Sequence, residues 1–152
     1  MSDDQQRTVE GEALTDLILD LFRLNSTLLT AGDRLVGHLG LTSARWQVLG
    51  AMFGSAHPQT VSGLARDLAA NRQNIQRIVN DLKRDGLVGF ASNPSHKRAQ
   101  LVVLTLKGKQ TLEAAMRLQI PWINQVAQGL SPREIQTFQR VALKLRANLE
   151  SV

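Results

Sequence analysis

Apolar residues recur at three-and-four spacing from Leu14 to Leu39, through Leu17, Ile18, Leu21, Leu24, Leu28 and Leu35, with Leu29 and Val36 widening the stripe. This pattern predicts a long amphipathic helix, with Gly32 as a place to bend and Gly40 as its stop. A second helix is expected from Thr42, an N-cap residue flanked by Leu41 and Trp46 as a hydrophobic staple. Its apolar face would be Trp46, Leu49, Met52 and Phe53, and it would end at Gly54. Thr60 caps a short third helix reaching Ala70. Asn71 caps a fourth, from Arg72 to about Arg84, closed by Gly86. The period then changes. Leu87–Ala91 and Gln100–Thr105 are short, rich in Val, Leu and Phe, and separated by a turn-forming stretch around Pro94, so a β-hairpin is expected. Helix returns from Leu106, with a kink or restart at Pro121. The last helix opens at Ser131-Pro132-Arg133-Glu134, where N-cap, N1 proline and capping-box glutamate coincide. It is expected to bury Ile135, Phe138, Val141, Ala142, Leu145 and Leu149.

Two helices meeting at a tight turn, followed by a hairpin, form a helix-turn-helix with a wing. Ala65 is the small residue for the helix crossing, Ala69 lies at the turn, and Ile75 packs between the helices. Leu64, Leu68, Ile78, Val79 and Leu82 complete the apolar face. The fourth helix has a second face, made of Arg72, Gln73, Gln76, Arg77 and Asn80. An ordinary solvated face mixes Glu with Lys; this one carries side chains that hydrogen-bond base edges, Arg to guanine and Asn or Gln to adenine. The hairpin tip adds Ser95, His96, Lys97 and Arg98, suited to phosphate or the minor groove. His96 also brings a pH-sensitive group there.

Charge placement agrees. Residues 1–30 hold six acids and two bases, whereas residues 61–110 hold nine bases and three acids, within a net charge of +5. A basic middle between less basic ends points to a localised polyanion contact. The 152 residues suit one domain of ordinary size, 43% apolar and 20% charged. Cysteine is absent, which removes disulfides, thiolate zinc sites and thiol redox chemistry. No apolar run reaches the roughly 18 residues of a membrane span, and the start MSDDQQRTVEGE is unlike a signal peptide. A cytoplasmic protein is therefore expected, with no membrane contact. His38, His57 and His96 have no metal-ligand spacing, and no G-x-S-x-G, H-E-x-x-H or Walker A pattern occurs. No catalytic residue, metal site or cofactor is expected, and the chain is not read as an enzyme. Asn25-Ser26-Thr27 matches a glycosylation acceptor, but it falls mid-helix.

The segments LTSARWQVLGAM, VSGLARDLAANRQNIQRIVNDLKRDGLV and NPSHKRAQLVVLTLKG resemble the MarR family of winged-helix transcriptional regulators, and the likeness in element order runs from about Leu14 to Leu149. The resemblance implies a mainly α fold: a tail over 1–10, a dimerisation helix over 11–40, a winged helix-turn-helix over 41–105, and C-terminal dimerisation helices over 106–150. It implies a homodimer offering one winged helix to each half of a pseudo-palindromic duplex, as a repressor relieved by a small effector. By position, base reading falls to Arg72, Gln73, Asn74, Gln76, Arg77 and Asn80, and the wing contact to Arg98 with Lys97, His96 and Ser95 beside it. Arg84 is added for phosphate. The family's wing carries Asp at the position of Asn93, Arg at Ser95 and Asp at His96, so only Arg98 keeps the pattern. A small aromatic or phenolic effector would sit near His38, Trp46, Phe53 and Trp122. The alternative is a winged helix that docks an acidic protein partner.

Overall fold

The computed structural model describes residues 6–152. It divides into two compact units, one ending at Leu118 and one spanning Gln119–Val152. The first unit begins with α1 (Val9–Val36), capped by the Thr8 hydroxyl, which accepts from the Gly11 N–H. Helix therefore starts inside the stretch expected to be a tail; residues 1–5 of that tail lie outside the described residues. A 3₁₀ turn (Gly37–Leu39) follows, and Gly40 closes it in the left-handed region at φ 73°. Gly32 marks a close approach near the C-terminal end of α1: a Cβ there would collide with the Ser43 hydroxyl.

Helix α2 (Ser43–Gly54) starts on the Thr42 cap, and α3 (Val61–Asp67) starts on Thr60. α3 is shorter than its sequence suggests. Ala69 turns the chain at φ 49°, with the Ala69 and Ala70 N–H groups donating to Arg66 and Ala65 carbonyls. This is a Schellman ending with alanine where glycine is usual. α4 (Arg72–Arg84) opens on Asn71, whose Oδ1 accepts from the Gln73 and Asn74 N–H groups. It ends in a second Schellman motif with Gly86 at φ 77°. Its buried residues Ile75, Ile78, Val79 and Leu82 follow i, i+3, i+4, i+7, which leaves the polar side outward.

Strands β1 (Val88–Ala91) and β2 (Leu101–Leu104) pair antiparallel, Val88 opposite Leu104 and Ala91 opposite Leu101. Gln59 adds a bridge to Val102, which ties the wing base to the segment before α3. The core is formed by Val36, Leu41, Val48, Leu49, Leu64, Ala65, α4's apolar side, Leu87, Val88, Val102, Leu112 and Ala115. α5 (Leu106–Val126) docks through Gly108, where any Cβ would strike the Leu87 carbonyl.

α5 runs helically through Pro121, so the chain does not restart there. Proline's fixed φ fits the helix, and the loss is one intrahelical N–H donor. In the second unit, α6 (Pro132–Glu150) has the predicted capping box: the Ser131 hydroxyl accepts from Glu134 N–H, and the Glu134 carboxylate accepts from Ser131 N–H. The expected burial of its apolar stripe does not occur within the chain. α6 has no buried residue, and Ile135, Phe138, Val141 and Leu149 stand 46–65% exposed. Apolar periodicity reports a face that seeks cover; it does not say which surface supplies it. Among the described residues, no helix is long and apolar enough to cross a membrane.

Candidate nucleic-acid interface

With α4's apolar side inward, Arg72, Gln73, Asn74, Arg77 and Asn80 are exposed, and Gln76 is half-buried. These side chains are organised among themselves. Arg77 Nη2 donates to Asn74 Oδ1 at 2.6 Å, and Gln76 Nε2 donates to Asn80 Oδ1 at 3.0 Å. Such i,i+3 and i,i+4 pairs link neighbouring polar side chains along the exposed side of the helix. The first turn of α4 carries no acid, so its N-terminus favours negative charge.

The wing comes to the same side. A groove of about 290 Å³ is lined by Arg72, Gln76 and Asn80 of α4, by Phe90, Arg98, Ala99 and Gln100 of the hairpin, and by Thr60, Val61 and Ser62 at the start of α3. Arg98 thus shares a wall with three of the predicted base readers. Thr60 and Ser62 were missed by sequence reasoning, since hydroxyls at a helix start read first as caps. Among the described residues, Arg72, Lys97 and Arg98 take part in no ion pair, so their charge is open to an external anion.

The loop is shaped by its own polar groups. Asn93 Oδ1 accepts from Ser95 N–H at 3.0 Å, and His96 Nδ1 accepts from Ala99 N–H at 3.2 Å. Asn93 therefore makes the turn bond that an aspartate would make, without its charge. Lys83 lies 4.8 Å from the Phe90 ring centroid and braces the wing base against α4.

Arg84 sits differently. Its Nη1 is 3.1 Å from Asp81 Oδ1 and its Nε 3.7 Å from Asp85 Oδ1, so its charge is matched within the protein. Those carboxylates also hold Arg45 of α2. Phe53 lines a cleft of about 280 Å³ with Met52, Leu104 and Lys109; neither His38 nor Trp46 lines it. His38 is exposed on the 3₁₀ turn, Trp46 packs on the core, and Trp122 belongs to the second unit.

The profile of the MarR family matches residues 39–99, the span that carries the helix-turn-helix and most of the wing. An uncharacterised protein of Mycobacterium tuberculosis is 33% identical over 141 residues, 90% of this chain and 97% of the relative. The chain belongs to the MarR family. The transcriptional activatory protein BadR of Rhodopseudomonas palustris is 27% identical over 97% of this chain and 86% of its own length. The regulator MosR of M. tuberculosis, solved in complex with DNA, superposes with a TM-score of 0.72 at 25% identity, covering 86% of this chain and 96% of MosR. This MarR-family chain is a DNA-binding transcription regulator and not an enzyme.

Proposed function

We propose that this regulator reads a pseudo-palindromic duplex as a homodimer, with α4 in the major groove and the wing on the flanking backbone. Arg72, Gln73, Asn74, Gln76, Arg77 and Asn80 contact base edges, while Arg98, Lys97 and the loop residues Ser95 and His96 meet phosphate or the minor groove. The observation that carries this reading is the groove that Arg98 of the wing lines together with Arg72, Gln76 and Asn80 of α4. Thr60 and Ser62, at the mouth of the same groove, are placed to donate to phosphate. Arg84 is left out of the DNA-contacting set because Asp81 and Asp85 occupy its guanidinium.

Dimerisation rests on uncovered apolar surface in both units. Phe22 on α1 is 70% exposed, and Ile120, Ile123, Phe138 and Leu143 are exposed on α5 and α6. Faces of this kind on a folded chain are interaction surfaces, and a second copy offers the same faces in return. A small aromatic acid is the effector class that fits the cleft beside Phe53, where Met52 and Leu104 give apolar contact and Lys109 a cation. Selection of a preferred duplex from a random library, followed by gel-shift titration with competitor DNA, tests the DNA reading. Paired half-sites about one helical turn, ~10 bp, apart are the expected product. A single unpaired half-site, or binding that competitor abolishes, would overturn it.

A further inference from the structure

The recognition helix is secured at one end by a side chain that no sequence motif singled out. The Arg45 guanidinium, on the first turn of α2, is only 21% exposed. Its Nη1 lies 3.2 Å from Asp85 Oδ2, and its Nη2 lies 3.4 Å from Asp81 Oδ2. Nη1 also donates to the Gly40 carbonyl at 3.3 Å. Asp81 and Asp85 are one helical turn apart on α4, a spacing at which two carboxylates repel. A planar guanidinium between them cancels that repulsion and fixes two points on the helix, which a point charge cannot do.

Arg45 is itself held from behind. The neighbouring Ser43 N–H donates to Asp33 Oδ1 at 2.7 Å, and the Ser43 hydroxyl donates to the Leu29 carbonyl at 2.7 Å, both on α1. Gly32 leaves the space for this approach. The far side of the same helix end is held by α5 and the residue before it. Lys107 Nζ donates to the Asp85 carbonyl at 2.8 Å, and the Thr105 hydroxyl donates to the Gly86 carbonyl at 2.7 Å. The base-reading end of α4 is held by apolar packing through Ile75, and among the described residues its exposed polar side chains bond to one another and not to another element. The polar ties of α4 to other elements therefore gather at the Asp81–Asp85 end.

We infer that Arg45 is a positioning residue for DNA recognition: by bridging Asp81 and Asp85 to an α2 start that is bonded to α1, it sets the angle at which α4 enters the groove. Arg45 touches no DNA in this scheme, and the α1–Ser43–Arg45–α4 chain is the route by which a shift of α1 reaches the base-reading side chains. The inference rests on the DNA reading of α4. Its test separates the two.

The experiment uses the full chain, a duplex selected by the wild type from a random library, and a scrambled duplex of equal length. Affinity for each is measured at two salt concentrations for wild type, Arg45→Met, Arg45→Lys and Asp85→Asn. Arg45→Met is expected to lower the selected-to-scrambled affinity ratio at least tenfold. Scrambled-duplex affinity and its salt slope should change less than twofold, because Arg72, Lys97 and Arg98 remain in place. Arg45→Lys and Asp85→Asn, milder changes that guard against unfolding by Arg45→Met, should each lower the ratio by at least threefold. A purely structural role lowers both affinities together by the loss of folded protein and leaves the ratio intact, and that result in all folded variants overturns the inference alone. A wild type that selects no duplex overturns the DNA reading with it.

Discussion

Arg77 and Asn74 hold each other at 2.6 Å on the open side of α4, so the guanidinium is extended and ordered before any base arrives. Truncating Arg77→Ala is expected to cost about 1–3 kcal/mol at its preferred base pair and to relax selectivity there, read as a broadened position in library selection. Unchanged selectivity would remove Arg77 from the base-reading set. Lys97 and Arg84 are both cations of the basic middle of the chain, yet among the described residues only Arg84 has carboxylate partners. Lys97→Ala should weaken binding to every sequence alike and reduce the log–log salt slope by about 1. Arg84→Ala should leave that slope close to wild type, because the lost charge was neutralising Asp81 and Asp85 and not phosphate. Equal slopes for Lys97→Ala and wild type would show that the wing tip does not meet the backbone. The pairing that distinguishes Arg84 from Lys97 is local, with Asp81 three residues before Arg84 and Asp85 next to it. What the sequence did not carry is that Arg45, 39 positions earlier in the chain, arrives beside the same carboxylates.

Four helices begin where local chemistry says they should: Thr42, Thr60, Asn71 and Ser131 all cap through their side chains. Two endings carry their own tests. Ala69 adopts φ 49°, a conformation that costs an L-residue more than it costs glycine. Ala69→Gly is expected to raise stability by up to about 1 kcal/mol, visible as a higher melting temperature. A lower one would mean that the unfolded-state entropy of glycine outweighs the relieved strain. Gly108→Ala should lose about 1–3 kcal/mol, because the added methyl meets the Leu87 backbone carbonyl where the wing joins α5. At the start of α6, hydrogen bonds from the Ser131 N–H and hydroxyl hold the Glu134 carboxyl below the usual carboxylate range. The depressed value means that this cap stabilises the helix start at pH above the ordinary carboxylate range and is lost as pH falls through the lowered one. Amide exchange at the first turn of α6 should therefore speed up relative to mid-helix on acidification, and Glu134→Gln should abolish that pH dependence.

Across the whole molecule, apolar surface is left open on α1, α5 and α6, the helices that the family resemblance gives to dimerisation. Phe138→Glu, on the exposed face of α6, should shift sedimentation toward a single chain and weaken binding to paired half-sites far more than to one half-site. Sedimentation unchanged from wild type would place the dimer contact elsewhere. The sequence by itself determined the order of helices, the hairpin, the caps, the apolar side of α4 and the polar, carboxylate-poor character of its other side. Each follows from short-range periodicity and from side chains bonding to backbone within a few residues. Only the tertiary structure decided that Arg98 lines one groove with Arg72, Gln76 and Asn80, that Arg45 bridges Asp81 and Asp85, and that the apolar stripe of α6 is left exposed. Those outcomes depend on where distant segments meet as the core around Leu49, Leu64 and Leu82 closes, and a periodicity of three or four residues carries no information about that distance.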